Sequence, residues 1–310
     1  MSLAVVAGCG GAGGILAGGI AASGNWSGSF VSRSATGTVE IPFKLVRPEG
    51  SGPFPAVVML HDCSGLGRRS SGSPVRWARK LAAQGYAVLL PDSFAPRGFP
   101  DGVCTNSQAQ AASPYVRADD ARAALDYLRT LPDIDSAHVG LMGGSDGGST
   151  TLAAMVDKGD DRGTGFAAAI ALYPDCGVSY GQWRATRHKG PSGSMVTFDG
   201  VYKPAAPLLI LIGETDDWTP APYCQSLAGA ADRAGYPVSI KVYPGARHSF
   251  DGNLGMNYDP ERSNANSPGE RGATTGGDPN AWADAEREVT AFFAKYLKSA
   301  DEGSRGSGSN

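Results

Sequence analysis

The chain has 310 residues, 41% of them hydrophobic, which is enough to bury a sizeable core. Its formal net charge is -3, so no basic field recruits nucleic acid. The Lys and Arg residues are scattered, and no apolar run reaches the roughly 20 residues needed to span a bilayer.

The 44 glycines concentrate towards the ends. Residues 8–28 are low-complexity Gly/Ala/Ser, and 303–310 read Gly-Ser-Arg-Gly-Ser-Gly-Ser-Asn. Such segments bury too little apolar surface to order themselves. We therefore expect a leader or linker over 1–30, a single folded domain over 31–299 and a flexible tail over 300–310. Val6-Ala7-Gly8-Cys9 resembles a bacterial lipobox, which makes Cys9 a candidate lipid anchor, although the charged segment that should precede it is missing. The alternative is an accidental match in a glycine-rich leader.

Residues 36–47 alternate around Val39, Ile41, Phe43 and Leu45, a half-buried strand pattern. Ala56 to Leu60 is a continuous apolar run, which suits a strand covered on both faces. Pro74 to Ala83 has helical spacing with Gly85 as a stop. Tyr86 to Leu90 is a second buried strand. Residues 117–130 predict an amphipathic helix, with Ala118, Ala121, Leu125 and Leu128 on one face. Val139 to Met142 is a third buried strand, and 150–156 continue as helix. Phe166 to Tyr173, Pro207 to Ile212 and Val238 to Val242 predict further strands. Residues 222–234 and 281–298 predict helices. Strands alternating with helices specify an α/β fold, with a mostly parallel central sheet and helices on both faces. Active groups in such sheets lie just past the carboxyl ends of the strands. Residues 93–116, 176–206 and 251–280 read as the loops that wall a site there. Trp183, Phe198, Tyr202 and Trp218 are available for its aromatic surface or for ordinary packing.

Gly143-Gly144-Ser145-Asp146-Gly147 fits Gly-x-Ser-x-Gly, which lifts a serine hydroxyl clear of a sheet on a sharp strand-to-helix turn. In a chain this rich in glycine the motif alone is weak. Its placement strengthens it, because a buried strand ends at Met142 and a helix follows. A serine nucleophile needs a base and an acid, each after its own later strand. The segment Gly213-Glu214-Thr215-Asp216-Asp217-Trp218 follows one strand, and Arg247-His248-Ser249-Phe250 follows another. The chain has four histidines. His188 lies in a basic polar loop and His138 precedes a strand, so His248 is the expected base. Asp216 is the expected acid; Asp217 and Glu214 are its neighbours, and Asp217 is free to cap the next turn instead. The oxyanion of an ester intermediate needs amide donors. These are expected from Asp146 and from Cys63 in His61-Asp62-Cys63-Ser64-Gly65.

There are five cysteines, Cys9, Cys63, Cys104, Cys176 and Cys224, without the CxxC pairs of a zinc site. If Cys9 carries lipid, four remain, with three pairings open. Paired cysteines fit a periplasmic or secreted location; four free thiols in a cytoplasmic enzyme are the alternative.

Jointly these segments, with Pro91-Asp92-Ser93-Phe94 and Trp218-Thr219-Pro220, resemble the dienelactone hydrolase family of the α/β-hydrolase superfamily. The resemblance covers about residues 35–298. It implies the α/β-hydrolase fold and hydrolysis of a small-molecule ester or lactone without metal or organic cofactor. Two departures stand out. Founding members carry a cysteine nucleophile where this chain has Ser145. They also hold a substrate carboxylate with arginines, one shortly after the catalytic histidine, where this chain has Asp251-Gly252-Asn253. Arg97 is a candidate replacement for another of these, and Asp62 and Trp218 are further candidate substrate contacts. The chain is more similar to secreted, serine-bearing relatives, in which cysteines after adjacent strands pair. That implies Cys63–Cys104 and Cys176–Cys224. A peptidase on the same scaffold is the nearest rival activity, and a non-catalytic binding protein is the rival from another class. The Gly-rich loop lacks the Lys-Ser/Thr ending of a phosphate-binding P-loop.

Overall fold

The computed structural model describes residues 26–106, 109, 112–157, 165–190 and 193–298. Cys9 and the 300–310 tail lie outside the described residues.

The described chain opens with a hairpin of β1 (Gly28–Ser34) and β2 (Gly37–Val46), paired antiparallel. β3 (Phe54–Leu60), α1 (Ser73–Ala83) and β4 (Ala87–Pro91) follow, then α2 (Pro114–Leu128), β5 (Ile134–Gly144) and α3 (Asp146–Ala154). β6 (Ala168–Leu172) leads to a second hairpin, β7 (Arg184–Gly190) and β8 (Gly193–Asp199). After it come β9 (Leu208–Gly213), α4 (Ala221–Arg233) and β10 (Val238–Tyr243). A third hairpin, β11 (Asn257–Ser263) and β12 (Arg271–Thr275), precedes α5 (Pro279–Leu297).

Eight strands form one sheet in the order β1-β2-β4-β3-β5-β6-β9-β10. From β4 to β10 every neighbouring pair is parallel, and only β2 runs against the rest, antiparallel to both β1 and β4. The central strands β4, β6 and β9 are buried along their whole length, as their uninterrupted apolar runs require. α1 and α5 pack on each other, with the Trp77 and Trp282 rings 4.6 Å apart. The buried face of α2 carries Ala118, Ala121, Ala124, Leu125 and Leu128, and also two charges, Arg117 and Asp120.

The sheet places the loops after β3, β5, β6, β9 and β10 at one edge, with β3 and β6 flanking β5. The residues around Ser145 therefore meet the loop at 61–65 on one side and the loop after β6 on the other.

Three stretches differ from the sequence-based expectation. The first strand begins at Gly28, so its first three residues fall inside the segment expected as leader. Residues 184–199 and 257–275 form hairpins where loops were expected, so His188 sits on a strand. His138 also lies within β5, beside Asp135 at 2.7 Å. The two hairpins share a reason. β7 and β11 are exposed along most of their length, so no buried face imposes an apolar alternation.

Candidate active site

β5 ends at Gly144 and α3 begins at Asp146, so Ser145 alone makes the turn. Its φ of 55° and ψ of -118° lie outside the regions where L-residues rest. The Ser145 amide donates to Leu172 O at 2.9 Å, and Ser145 O accepts from the Ser149 amide at 2.8 Å. The turn closes because its flanks lack side chains. A Cβ at Gly143 would stand 2.4 Å from Gly147 O, and one at Gly147 would stand 2.5 Å from Leu60 O.

Ser145 Oγ lies 2.8 Å from His248 Nε2. On the far side of the ring, His248 Nδ1 lies 2.8 Å from Asp216 Oδ2. Both side chains are almost wholly buried. Asp216 Oδ1 accepts from the Trp218 and Thr219 amides at 2.9 and 2.8 Å. Thr219 Oγ1 lies 3.0 Å from Asp216 Oδ2 and 3.1 Å from Tyr173 O, either of which can take its one proton. The Tyr173 and Trp218 rings sit 4.8 Å from the imidazole on separate contacts and fix its plane. The turn-capping role expected of Asp217 thus falls to Asp216. Asp217 instead reaches β12, accepting from Thr274 N at 2.8 Å and Thr274 Oγ1 at 2.6 Å. Glu214 accepts from the Gly245 amide at 3.0 Å.

Ser145 opens onto a cavity of about 480 Å³. Cys63, Asp146, Tyr115, Asp175 and Trp218 are among its walls. Neither the Cys63 amide nor the Asp146 amide donates to another protein group among the described residues. The Cys63–Cys104 disulfide and the Val103 amide, which donates to Cys63 O at 2.7 Å, hold this loop in place. The second disulfide, Cys176–Cys224, ties the loop after β6 to α4. These are the pairings that the resemblance implies, and two such crosslinks belong to an oxidising, extracytoplasmic compartment.

Two expected substrate contacts do not reach the cavity. Arg97 is buried and forks onto Asp120, with Nη1–Oδ2 and Nη2–Oδ1 both at 2.8 Å. Both of its terminal nitrogens are held by that pair and by Ser93 O. Asp62 folds its own loop, accepting from the Ser64 amide at 2.8 Å and from the Ser64 and Ser71 hydroxyls. Trp218 does line the cavity, with Nε1 donating to Ser263 O at 2.8 Å. Trp183 and Tyr202 are core residues, and Phe198 stacks on Trp183 at 4.8 Å.

One residue that motif reasoning passed over is Arg117. It is wholly buried, pairs with the Asp146 carboxylate, donates to His61 O at 2.7 Å and stacks 4.7 Å from the Phe94 ring centroid. Burial pushes the Asp146 carboxyl up, and Arg117 offsets part of that shift. The signal was a charge on the apolar face of a helix, four residues before Ala121. Asp175 is the other, a carboxylate in a loop with no motif.

A model of the dienelactone hydrolase family matches residues 41–297. The chain belongs to the dienelactone hydrolase family. The class of activity expected, carboxylic ester hydrolysis, is that of this family. Among similar curated proteins is a provisionally named carboxymethylenebutenolidase of Methylorubrum extorquens, 26% identical over 227 residues, covering 71% of this chain and 72% of that one. Uncharacterized protein YcjY of Escherichia coli is 27% identical over 119 residues, covering 38% of this chain. That match spans only 36% of YcjY. Esterase 2 of Thermogutta terrifontis shares the fold, with a TM-score of 0.57, 16% identity and coverage of 89% of this chain and 98% of that one. Within the family, this member places Asp251 after its histidine and buries that carboxylate against Trp77 and Tyr173 at 2.8 and 2.7 Å.

Proposed function

We propose that the chain is an extracytoplasmic serine esterase that cleaves a small ester or lactone through an acyl-enzyme. The observation that carries this reading is the unbroken hydrogen-bonded series from Ser145 through His248 to Asp216, with 2.8 Å at each link. Neutral His248 takes the Ser145 proton as Oγ attacks the carbonyl carbon. Asp216 keeps the proton on Nδ1, so Nε2 is the free base, and it stabilises the imidazolium that forms. The Cys63 and Asp146 amides receive the developing oxyanion. His248 then protonates the leaving alcohol. Water repeats the sequence on the acyl-enzyme, releasing the acid and restoring the Ser145 hydroxyl.

The cavity argues against a substrate carboxylate held by arginine, since no Arg or Lys lines it among the described residues. Dienelactone itself is therefore not the substrate we propose. A periplasmic or secreted site of action suits the two disulfides. A lipid on Cys9 would add membrane attachment to the same activity.

The test is a panel of p-nitrophenyl esters of rising acyl length on wild type and Ser145→Ala. Turnover by wild type and its loss in the variant is the expected result. Absence of turnover would favour a binding protein on this fold, and cleavage of peptide amides in preference to esters would favour the peptidase reading.

A further inference from the structure

Most charged and polar groups on the cavity wall are committed to the protein. Asp146 pairs with Arg117, and Glu270 with Lys189. Tyr115 donates to Ser179 O at 2.9 Å. Asn264 donates to Asp217 O and Gly272 O, and Asn266 donates to Trp218 O. Asp175 is different. Its Oδ1 accepts from the Gly177 amide at 2.8 Å, while Oδ2 has no hydrogen-bond partner among the described residues and keeps solvent access. Among the described residues no cation stands within ion-pair distance of it. Arg187 exerts its charge from further off, while donating to Ala265 O, Asn266 Oδ1 and Gly177 O.

The backbone around Asp175 is fixed. Its amide donates to Ser149 Oγ at 3.0 Å, one helical turn past Ser145. Its carbonyl accepts from the Tyr180 hydroxyl at 2.8 Å, and the next residue is in the Cys176–Cys224 disulfide. Burial pushes the Asp175 carboxyl up, against the pull of the Gly177 amide and Arg187. A part-buried carboxylate with an open oxygen gains from any donor and repels any anion.

We propose that Asp175 determines specificity, with Oδ2 accepting a hydrogen bond from a hydroxyl or ammonium group on the ester and excluding esters that carry a carboxylate. This rests on the esterase reading above. The wall also carries apolar residues, Val103, Ala112, Pro114 and Val178 among them, and its other carboxylates, Asp146 and Glu270, are paired with Arg117 and Lys189. The class implied is a short ester bearing a hydrogen-bond donor.

Two substrate sets test this. The first is the p-nitrophenyl esters of butyrate, 3-hydroxybutyrate, 3-aminopropanoate and hydrogen succinate. The second is the acetates of propan-1-ol, propane-1,3-diol and 3-hydroxypropanoate, which move the probe group to the alcohol side. In at least one set, kcat/KM for the donor-bearing ester should exceed that of its plain counterpart by about fivefold or more, and the carboxylate should fall about tenfold below. Hydroxyl and ammonium arms separate a neutral from a cationic substrate, and a preference for either supports the role. Asp175→Asn keeps an acceptor for the Gly177 amide. It should raise the carboxylate-to-plain ratio about tenfold and lower the donor-to-plain ratio. Ratios near one in both sets, or a preference for the carboxylate, would overturn the role of Asp175 and leave the esterase reading standing. No turnover of any ester would remove both.

Discussion

Arg117, wholly buried on α2, donates from Nη2 to the carbonyl oxygen of His61 at 2.7 Å. Its Nη1 holds the carboxylate of Asp146, the residue after Ser145. One guanidinium therefore ties the loop after β3 to the start of α3, and Cys63 and Asp146 from these two segments line the same cavity.

Arg117→Met should act on both stability and rate. It leaves Asp146 without its cation, which costs about 3 kcal/mol. It also frees the two loops to drift, and kcat should fall about 10- to 100-fold with KM changed little. Adding Asp146→Asn should restore much of the stability, read by urea unfolding, but not the rate. Arg117→Lys, with charge but no fork, should restore less rate than charge alone would suggest.

His61 gives a pH dependence with a definite sign. It is buried and held well below the usual 6.5, first by desolvation and then by the Arg117 charge. Its Nε2 accepts from the Ser93 amide at 3.2 Å, so Nδ1 carries the proton and donates to Asp62 O at 2.8 Å. Below pH 6.5 the unfolded chain binds a proton that the folded chain refuses. Stability is thus full above 6.5 and falls as pH drops, by about 1.4 kcal/mol per pH unit until the folded pKa is reached. Urea unfolding at pH 7.5, 6 and 5 should show a shallower decline for His61→Gln. Equal slopes would mean that His61 is not the group.

Much of this arrangement was legible in the sequence, because it is built from pattern. Apolar runs marked the buried strands, and chain order linked Ser145, Asp216 and His248. What escaped was built from pairing. Arg97 looked like a substrate ligand because nothing in the sequence shows that Asp120, 23 residues later, meets it. Arg117 sat in a helix recognised by its alanines and leucines. The hairpins of β7–β8 and β11–β12 are polar on most sides, so no period of two betrayed them.

The acid can be assigned by comparing neighbours. Asp216→Asn should lower kcat by about 10³-fold or more, because the amide offers His248 the wrong partner for its Nδ1–H. Asp217→Asn weakens the tie to Thr274 and should cost stability, with a far smaller loss of kcat. Steady-state kinetics of the two variants beside thermal melts separates the roles. Equal losses of rate would leave the acid unassigned between them.

The disulfides close segments with sequence separations of 41 and 48 residues. Chain-entropy arguments give each about 4 kcal/mol of stabilisation. Replacing Cys63 and Cys104 by serine should lower both stability and kcat, because Cys63 belongs to a loop that faces Ser145. Replacing Cys176 and Cys224 should lower stability by a similar amount and alter relative rates among substrates, through Asp175. Calorimetry with and without reductant, alongside substrate profiles, reads both effects.

The proposed role of Ser145 as nucleophile can be read directly. The direct measurement is covalent titration with a p-nitrophenyl phosphonate, followed by intact-mass and peptide mass analysis. One phosphonyl group per chain is expected, on the peptide holding Ser145, with release of one p-nitrophenolate per group and loss of ester turnover in parallel. Ester turnover that persists after Ser145 is fully modified, or a group attached to another residue as activity disappears, would contradict it.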